Sequence, residues 1–173
     1  MASAATVQRR DDVDSPKLNS HLPNLFSLEC VGKVPDLIYS TFMFANDSAY
    51  IGNAKYDLSS EPLLFDKKTA FTSFHASPTG WQNLYIFPNE TAPVGFTTPH
   101  SMAVPKGARE YGFTDDDKMF KYDSGEGPKA KWAVCPVKEQ AGSWQLYWKG
   151  GKKLAKDCVC IKLKIHKKRE CRQ

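Results

Sequence analysis

No run in this 173-residue chain approaches the ~20 consecutive apolar residues of a bilayer-crossing helix, so the sequence predicts no membrane-spanning helix. Histidine is scarce: His21, His75, His100 and His166 are the full set, and none stands in a known nucleophile motif. Gly-x-Ser-x-Gly, His-Glu-x-x-His and a phosphate-cradling glycine-rich loop are all missing. His100-Ser101 sets a base beside a hydroxyl, but adjacent strand residues point to opposite faces, so a structural role is expected for His100. Hydrolysis needs a nucleophile, a base and a group that orients the base. No such set is present, and the sequence predicts no catalytic residue and no cofactor.

Metal chemistry is equally poorly supplied. Asp115-Asp116-Asp117 offers three consecutive carboxylates, whereas calcium loops alternate their oxygen ligands and close on a Glu; a solvated turn is expected. Cys158-Val159-Cys160 has one intervening residue where redox and zinc motifs have two. One of these cysteines in a structural disulfide is the expected use. No metal site is predicted, and no clean internal repeat is found.

What the chain does have is short apolar runs broken by turn residues about every 8 to 12 positions, the rhythm of an all-β domain. Hydrophobic residues make up 41% and aromatics 12%, enough for one core of ordinary size. Phe26, Leu28 and Cys30 alternate and should share one strand face. Further strands are predicted over residues 37–45, 49–52, 63–65, 70–74, 81–87, 94–97, 101–104, 109–114, 119–122, 131–135, 144–148 and 159–165, with a turn at 115–117. That is roughly a dozen short antiparallel strands. A β-trefoil-like barrel is favoured over a β-sandwich, because the strands are short, aromatic-rich and joined mainly by hairpins. Residues 1–23 are polar and read as a disordered arm, residues 24–168 as a single β domain, and residues 169–173 as a basic end.

Several features point outside the cell. Ala2-Ser3-Ala4 has the small-residue pattern that precedes a signal-peptidase cut, and Arg9-Arg10 suits a dibasic processing protease. Asn46-Asp47-Ser48 and Asn89-Glu90-Thr91 are acceptor sequons for N-glycosylation at Asn46 and Asn89. The five cysteines (Cys30, Cys135, Cys158, Cys160, Cys171) are widely spaced, which suits long-range disulfides, and their odd number leaves one over. A secreted, monomeric protein is the expectation.

Charge is unevenly spread. Residues 149–173 carry ten Lys/Arg, among them Lys149, Lys152, Lys153, Lys156, Lys167, Lys168 and Arg169, against Asp157 and Glu170. The resulting +8 leaves −3 for the preceding 148 residues. Such a terminus is drawn to anionic surfaces, acidic polysaccharide or membrane headgroups, or serves solubility alone. The extracellular signals argue against nucleic acid. Of the tryptophans, Trp144 and Trp148 alternate with Leu146 and should be buried together, whereas Trp81 follows a turn and is the candidate for an exposed contact.

The second half resembles a known family. Pro93-Val94-Gly95-Phe96-Thr97-Thr98-Pro99-His100-Ser101, followed by Pro105-Lys106-Gly107 and Gly112-Phe113, is similar to a segment of the PhiA-like fungal secreted and cell-wall proteins. Trp132-Ala133-Val134-Cys135-Pro136, Trp144-Gln145-Leu146-Tyr147 and Asp157-Cys158 resemble later segments of that family. The resemblance covers residues 26–165, is carried mainly from residue 93 onward, and implies a Cys135–Cys158 disulfide and a non-catalytic role. The chain departs from the pattern in its basic end and in Cys30, Cys160 and Cys171, which leaves room for an effector of a plant-associated fungus with Cys30 paired to Cys160 or Cys171. Ser77-Pro78-Thr79-Gly80-Trp81 further resembles the Asn-Pro-Thr-Thr-Gly-aromatic loop of chagasin-type cysteine-protease inhibitors, one residue shorter and without the companion loops. The expected function is therefore a secreted fungal effector that binds outside the cell and inhibits a host papain-like protease through that loop. The alternative is a wall-associated structural or polysaccharide-binding protein.

Overall fold

A computed structural model of the chain describes residues 26–37, 42–45, 47–52, 61–62, 64–66, 69–71, 82–98, 101 and 103–167. Expectations for the N-terminal arm, Asn46, the 77–81 loop, His21, His75, His100, Lys168, Arg169 and Cys171 lie outside those residues.

The described residues contain no helix. Their strands are β1 (Phe26–Val31), β2 (Met43–Ala45), β3 (Ser48–Gly52), β4 (Glu61–Pro62), β5 (Leu64–Asp66), β6 (Thr69–Phe71), β7 (Leu84–Tyr85), β8 (Thr91–Pro93), β9 (Gly95–Phe96), β10 (Phe113–Asp116), β11 (Met119–Asp123), β12 (Pro128–Lys129), β13 (Trp132–Pro136), β14 (Ser143–Lys149) and β15 (Val159–Lys167). All pairings are antiparallel, and the principal sheet runs β4-β2-β3-β14-β13-β15-β1-β5-β6. It curls into a half-barrel. Branches join it where β11 meets β15, carrying β10 and β12, and where β8 meets β14; β7 and β9 form a separate pair.

The longest pairing joins the two ends of the described chain. β1 lies against β15 from Phe26↔Lys167 to Val31↔Lys162. Alternation then decides which side chains meet the core. Leu28 and Cys30 of β1 are buried with Ile161, Leu163 and Ile165 of β15, while the alternate residues Lys162 and His166 face out.

The core is aromatic. The Trp132 ring, 1% exposed, stacks on Phe120 at 5.2 Å and meets Trp148 edge-on at 4.9 Å. Phe113 stacks on Phe120 at 5.0 Å and lies 6.4 Å from Trp132, completing the group. The Trp132 indole N–H donates to the Phe120 carbonyl at 2.8 Å, so its one polar atom is satisfied on burial. Trp144, Leu146 and Trp148 are buried together, as their alternation predicts.

Several boundaries differ from the sequence reading, each for a local reason. Of the described residues in the strand expected over 37–45, Met43–Ala45 are in a strand, and Leu37 lies outside any strand, just after a turn in which Asp36 has φ 53°. No strand forms among the described residues of 101–104, which run into Pro105. The segment expected at 109–114 starts only at Phe113, because Gly112 turns the chain with φ 97°. Asp115 and Asp116 belong to β10 instead of a turn. The reversal is the two-residue Asp117-Lys118 link, with both φ values positive (51° and 61°), the hairpin geometry that matches strand twist. Its neighbour Asp116 pairs with Lys121 at 2.6 Å.

The Cys135–Cys158 disulfide is present, joining β13 to the residue before β15. Val134↔Val159 is the neighbouring pair in the ladder, so the bridge continues the sheet register across the two strands. Cys30 and Cys160 do not pair. Both are free, Cys30 buried with Leu28 and Cys160 exposed on the opposite face of β15 from its core residues. A one-residue difference in strand parity separates the two thiols by the thickness of the sheet.

Burial raises the Cys30 thiol to about 11 from 9.0, with the nearby Glu29 charge adding to the shift. Folding thus favours the protonated thiol: its contribution is complete below pH 9.0 and is lost as pH rises through about 11. Urea midpoints should fall between those values, and Cys30→Ala should flatten that part of the profile. In a Cys171→Ser background a maleimide should label Cys160 quickly and Cys30 only on unfolding; equal rates would contradict the burial of Cys30.

Candidate functional site

Two neighbouring features gather the polar chemistry of the described residues. The first is the connection between β14 and β15. Lys149, Lys152, Lys153 and Lys156 are all exposed there, against one exposed carboxylate, Asp157. The segment is anchored at both ends. At its start the Gly150 amide donates to the Glu90 carbonyl at 3.0 Å, and Thr91 Oγ1 donates to the Lys152 carbonyl at 2.5 Å. At its end Cys158 is held by the disulfide. Glycine is required at the start: a Cβ on Gly150 would stand 2.3 Å from the Pro88 carbonyl oxygen, and one on Gly151 2.4 Å from that of Asn89. Four lysines are therefore carried on a tethered segment. Of the other predicted basic residues, Lys167 ends β15.

The second feature is a cleft of about 470 Å³ beside that segment, within the usual size of small-ligand sites. Trp148 and Tyr122 form its floor, in edge-on contact at 5.6 Å. The Trp148 indole N–H donates to the Pro88 carbonyl at 3.2 Å, which fixes the turn at the rim. Arg109 and the closely spaced Lys129 and Lys131 bring three cations, and Glu126 is the one carboxylate in the lining. Lys129 Nζ pairs with Glu126 at 2.5 Å. The hydrogen bond and charge of Lys129, and then the charge of Lys131, hold the Glu126 carboxyl below its ordinary range. Arg109 Nη1 donates to the Ala108 carbonyl at 3.0 Å, which leaves donors of its five-N–H fork for other uses.

Asn89 is exposed in the rim turn and lines the same cleft, so the first sugar of an N-glycan there would stand at its mouth. The Thr91 hydroxyl of that sequon is already used on the lysine segment.

The structure thus brings Lys149, Lys152 and Asn89 to one region and separates Cys30 from Cys160. Sequence reading missed the cleft. Lys129-Ala130-Lys131 preceding a core tryptophan is the only local trace, and Arg109 arrives through a single β-bridge between itself and Ile86. Among the described residues no group of three or more His, Cys, Asp or Glu is placed to hold a metal ion, and no helix is long and apolar enough to cross a membrane. No family model, curated protein or solved structure matches the chain.

Proposed function

We propose that the chain is a secreted, non-catalytic binding protein of PhiA-like type that attaches outside the cell to an acidic wall polysaccharide. The observation that carries this reading is the tethered segment with Lys149, Lys152, Lys153 and Lys156 all exposed. A cationic surface held by main-chain bonds and a disulfide loses little conformational freedom when a polyanion lies along it. The sequons and the disulfide favour an extracellular setting, and that setting weighs against nucleic acid as the polyanion.

Column retention tests the reading. The full-length oxidised protein should stay on insoluble pectin at low salt and elute as salt rises, because exposed charges are screened beyond about 10 Å at 0.1 M. Replacing Lys149, Lys152, Lys153 and Lys156 by Ala should move elution to markedly lower salt. Passage through pectin at low salt, or elution unchanged in the variant, would sink the proposal.

The second reading is the fungal effector that inhibits a host papain-like protease. It rests on the Ser77-Pro78-Thr79-Gly80-Trp81 segment and its likeness to an inhibitor loop. Its test is papain inhibition that disappears in Trp81→Ala. The trefoil-like barrel belongs with these proposals. It rests on the short, hairpin-joined strands, and a crystal structure showing three repeated four-strand units would establish it.

A further inference from the structure

Resting on the polysaccharide reading, we infer that the cleft floored by Trp148 and Tyr122 is a subsite for the carboxylated sugar units of that polymer, with Arg109, Lys129 and Lys131 receiving the carboxylates.

Three independent observations converge on this ligand class. The first is charge. Three cations against one carboxylate line the space, and that carboxylate, Glu126, is held by Lys129. The depressed Glu126 carboxyl reports that the local field favours a carboxylate anion at this place. An incoming uronate thus meets what Glu126 already meets, and competes with it for Lys129.

The second is the floor. A strongly hydrated free anion gains nothing from aromatic carbon, whereas a sugar ring presents C–H faces together with its carboxylate and hydroxyls. Trp148 and Tyr122 belong to the core and reach the cleft only by an edge, so the apolar contact they offer a sugar ring is small, and Ser124 and Asn89 supply polar partners at the side.

The third is continuity. Trp148 and Gly150 line the cleft, and Lys149 between them is bonded through its amide to the Lys131 carbonyl at 2.7 Å. The lysine segment starts at that point. A polyanion lying along the lysines therefore comes to the cleft where the segment begins, at Gly150. The cleft supplies recognition of individual units, and the lysine segment supplies length-dependent attraction.

Calorimetric titration of the full-length oxidised protein, produced without glycans, tests the inference with an oligogalacturonate, its methyl ester and a neutral glucan oligomer of equal length. The free-acid oligomer should bind, and the ester and the glucan should bind at least about tenfold more weakly, the loss expected for one charge-assisted contact. Lys131→Ala should weaken binding several-fold. Glu126→Gln should act in the opposite direction, tightening it by releasing Lys129. Both substituted side chains are on the surface, so unchanged melting temperatures serve as the folding control.

Pectin retention of the same samples separates the two levels of the argument. If the polymer is retained while the oligomer is silent, or binds equally well as its ester, the subsite is wrong and the polysaccharide reading stands. If neither polymer nor oligomer is held, both fall. Weaker binding in Glu126→Gln would overturn the assigned role of the cleft cations even if the oligomer binds.

Discussion

Trp132→Ala should cost about 3–5 kcal/mol of folding stability, the range for removing a large aromatic from a packed core. Trp132 is 1% exposed and contacts Phe120, Phe113 and Trp148, so its loss leaves a cavity bordered by three rings that belong to different strands. Those rings cannot collapse together without moving β10, β11 and β14. The Phe120 carbonyl would also lose the indole donor that reaches it at 2.8 Å. Trp132→Phe separates the two contributions: it keeps most of the ring and removes the donor, and should cost about 1–3 kcal/mol. Urea unfolding followed by circular dichroism measures both. A loss under about 1 kcal/mol for the alanine variant would show that the aromatic group is not the centre of the core. Because Trp148 floors the cleft, Trp132→Ala should weaken oligogalacturonate binding too, through a loosened floor.

Replacing Cys135 and Cys158 by Ser should cost about 3 kcal/mol on the chain-entropy account, for a bridge that closes 23 residues of sequence. The bridge continues a ladder that main-chain hydrogen bonds already form, so the native sheet survives and the effect acts mainly on the unfolded chain. A functional consequence follows from the same geometry. Cys158 is the far anchor of the lysine segment, and freeing it restores conformational freedom that binding must then remove. The double variant should elute from pectin at lower salt than the parent although its net charge is unchanged. Unaltered elution would show that tethering of the lysines is irrelevant to retention.

Much of the sheet was legible along the chain. Phe26-Ser27-Leu28-Glu29-Cys30 and Trp144-Gln145-Leu146-Tyr147-Trp148 each alternate cleanly, and both form strands with the apolar residues of the described side chains inward. The hairpin around Asp66 and Thr69 was visible for the same reason, apolar runs flanking a polar turn. The two- and three-residue strands β4, β8 and β12 were not. They are too short for periodicity to register, and each exists because a longer neighbour offers it unpaired main-chain groups. The exposed basic segment was legible from composition, since four lysines within residues 149–156 have few ways to be buried.

The cysteines show where one-dimensional reading stops. Resemblance to a family supplied the Cys135–Cys158 bridge, and the structure contains it. For Cys30 and Cys160, sequence offered candidates but no register. Only the pairing Cys30↔Leu163 places Cys160 on the other face of the sheet.

By itself, then, the sequence determined the all-β class, most of the longer strands, the aromatic core residues and the cationic end, because all of these depend on local alternation and composition. Tertiary structure alone decided the curl of the sheet into a half-barrel, the separation of the two free thiols and the cleft. Arg109, Lys131 and Trp148 are apart in sequence, and they meet because β13 pairs with β14 and the Ile86–Arg109 bridge brings Arg109 beside them. The curl of the sheet is set by cross-strand register and twist, which no local pattern encodes.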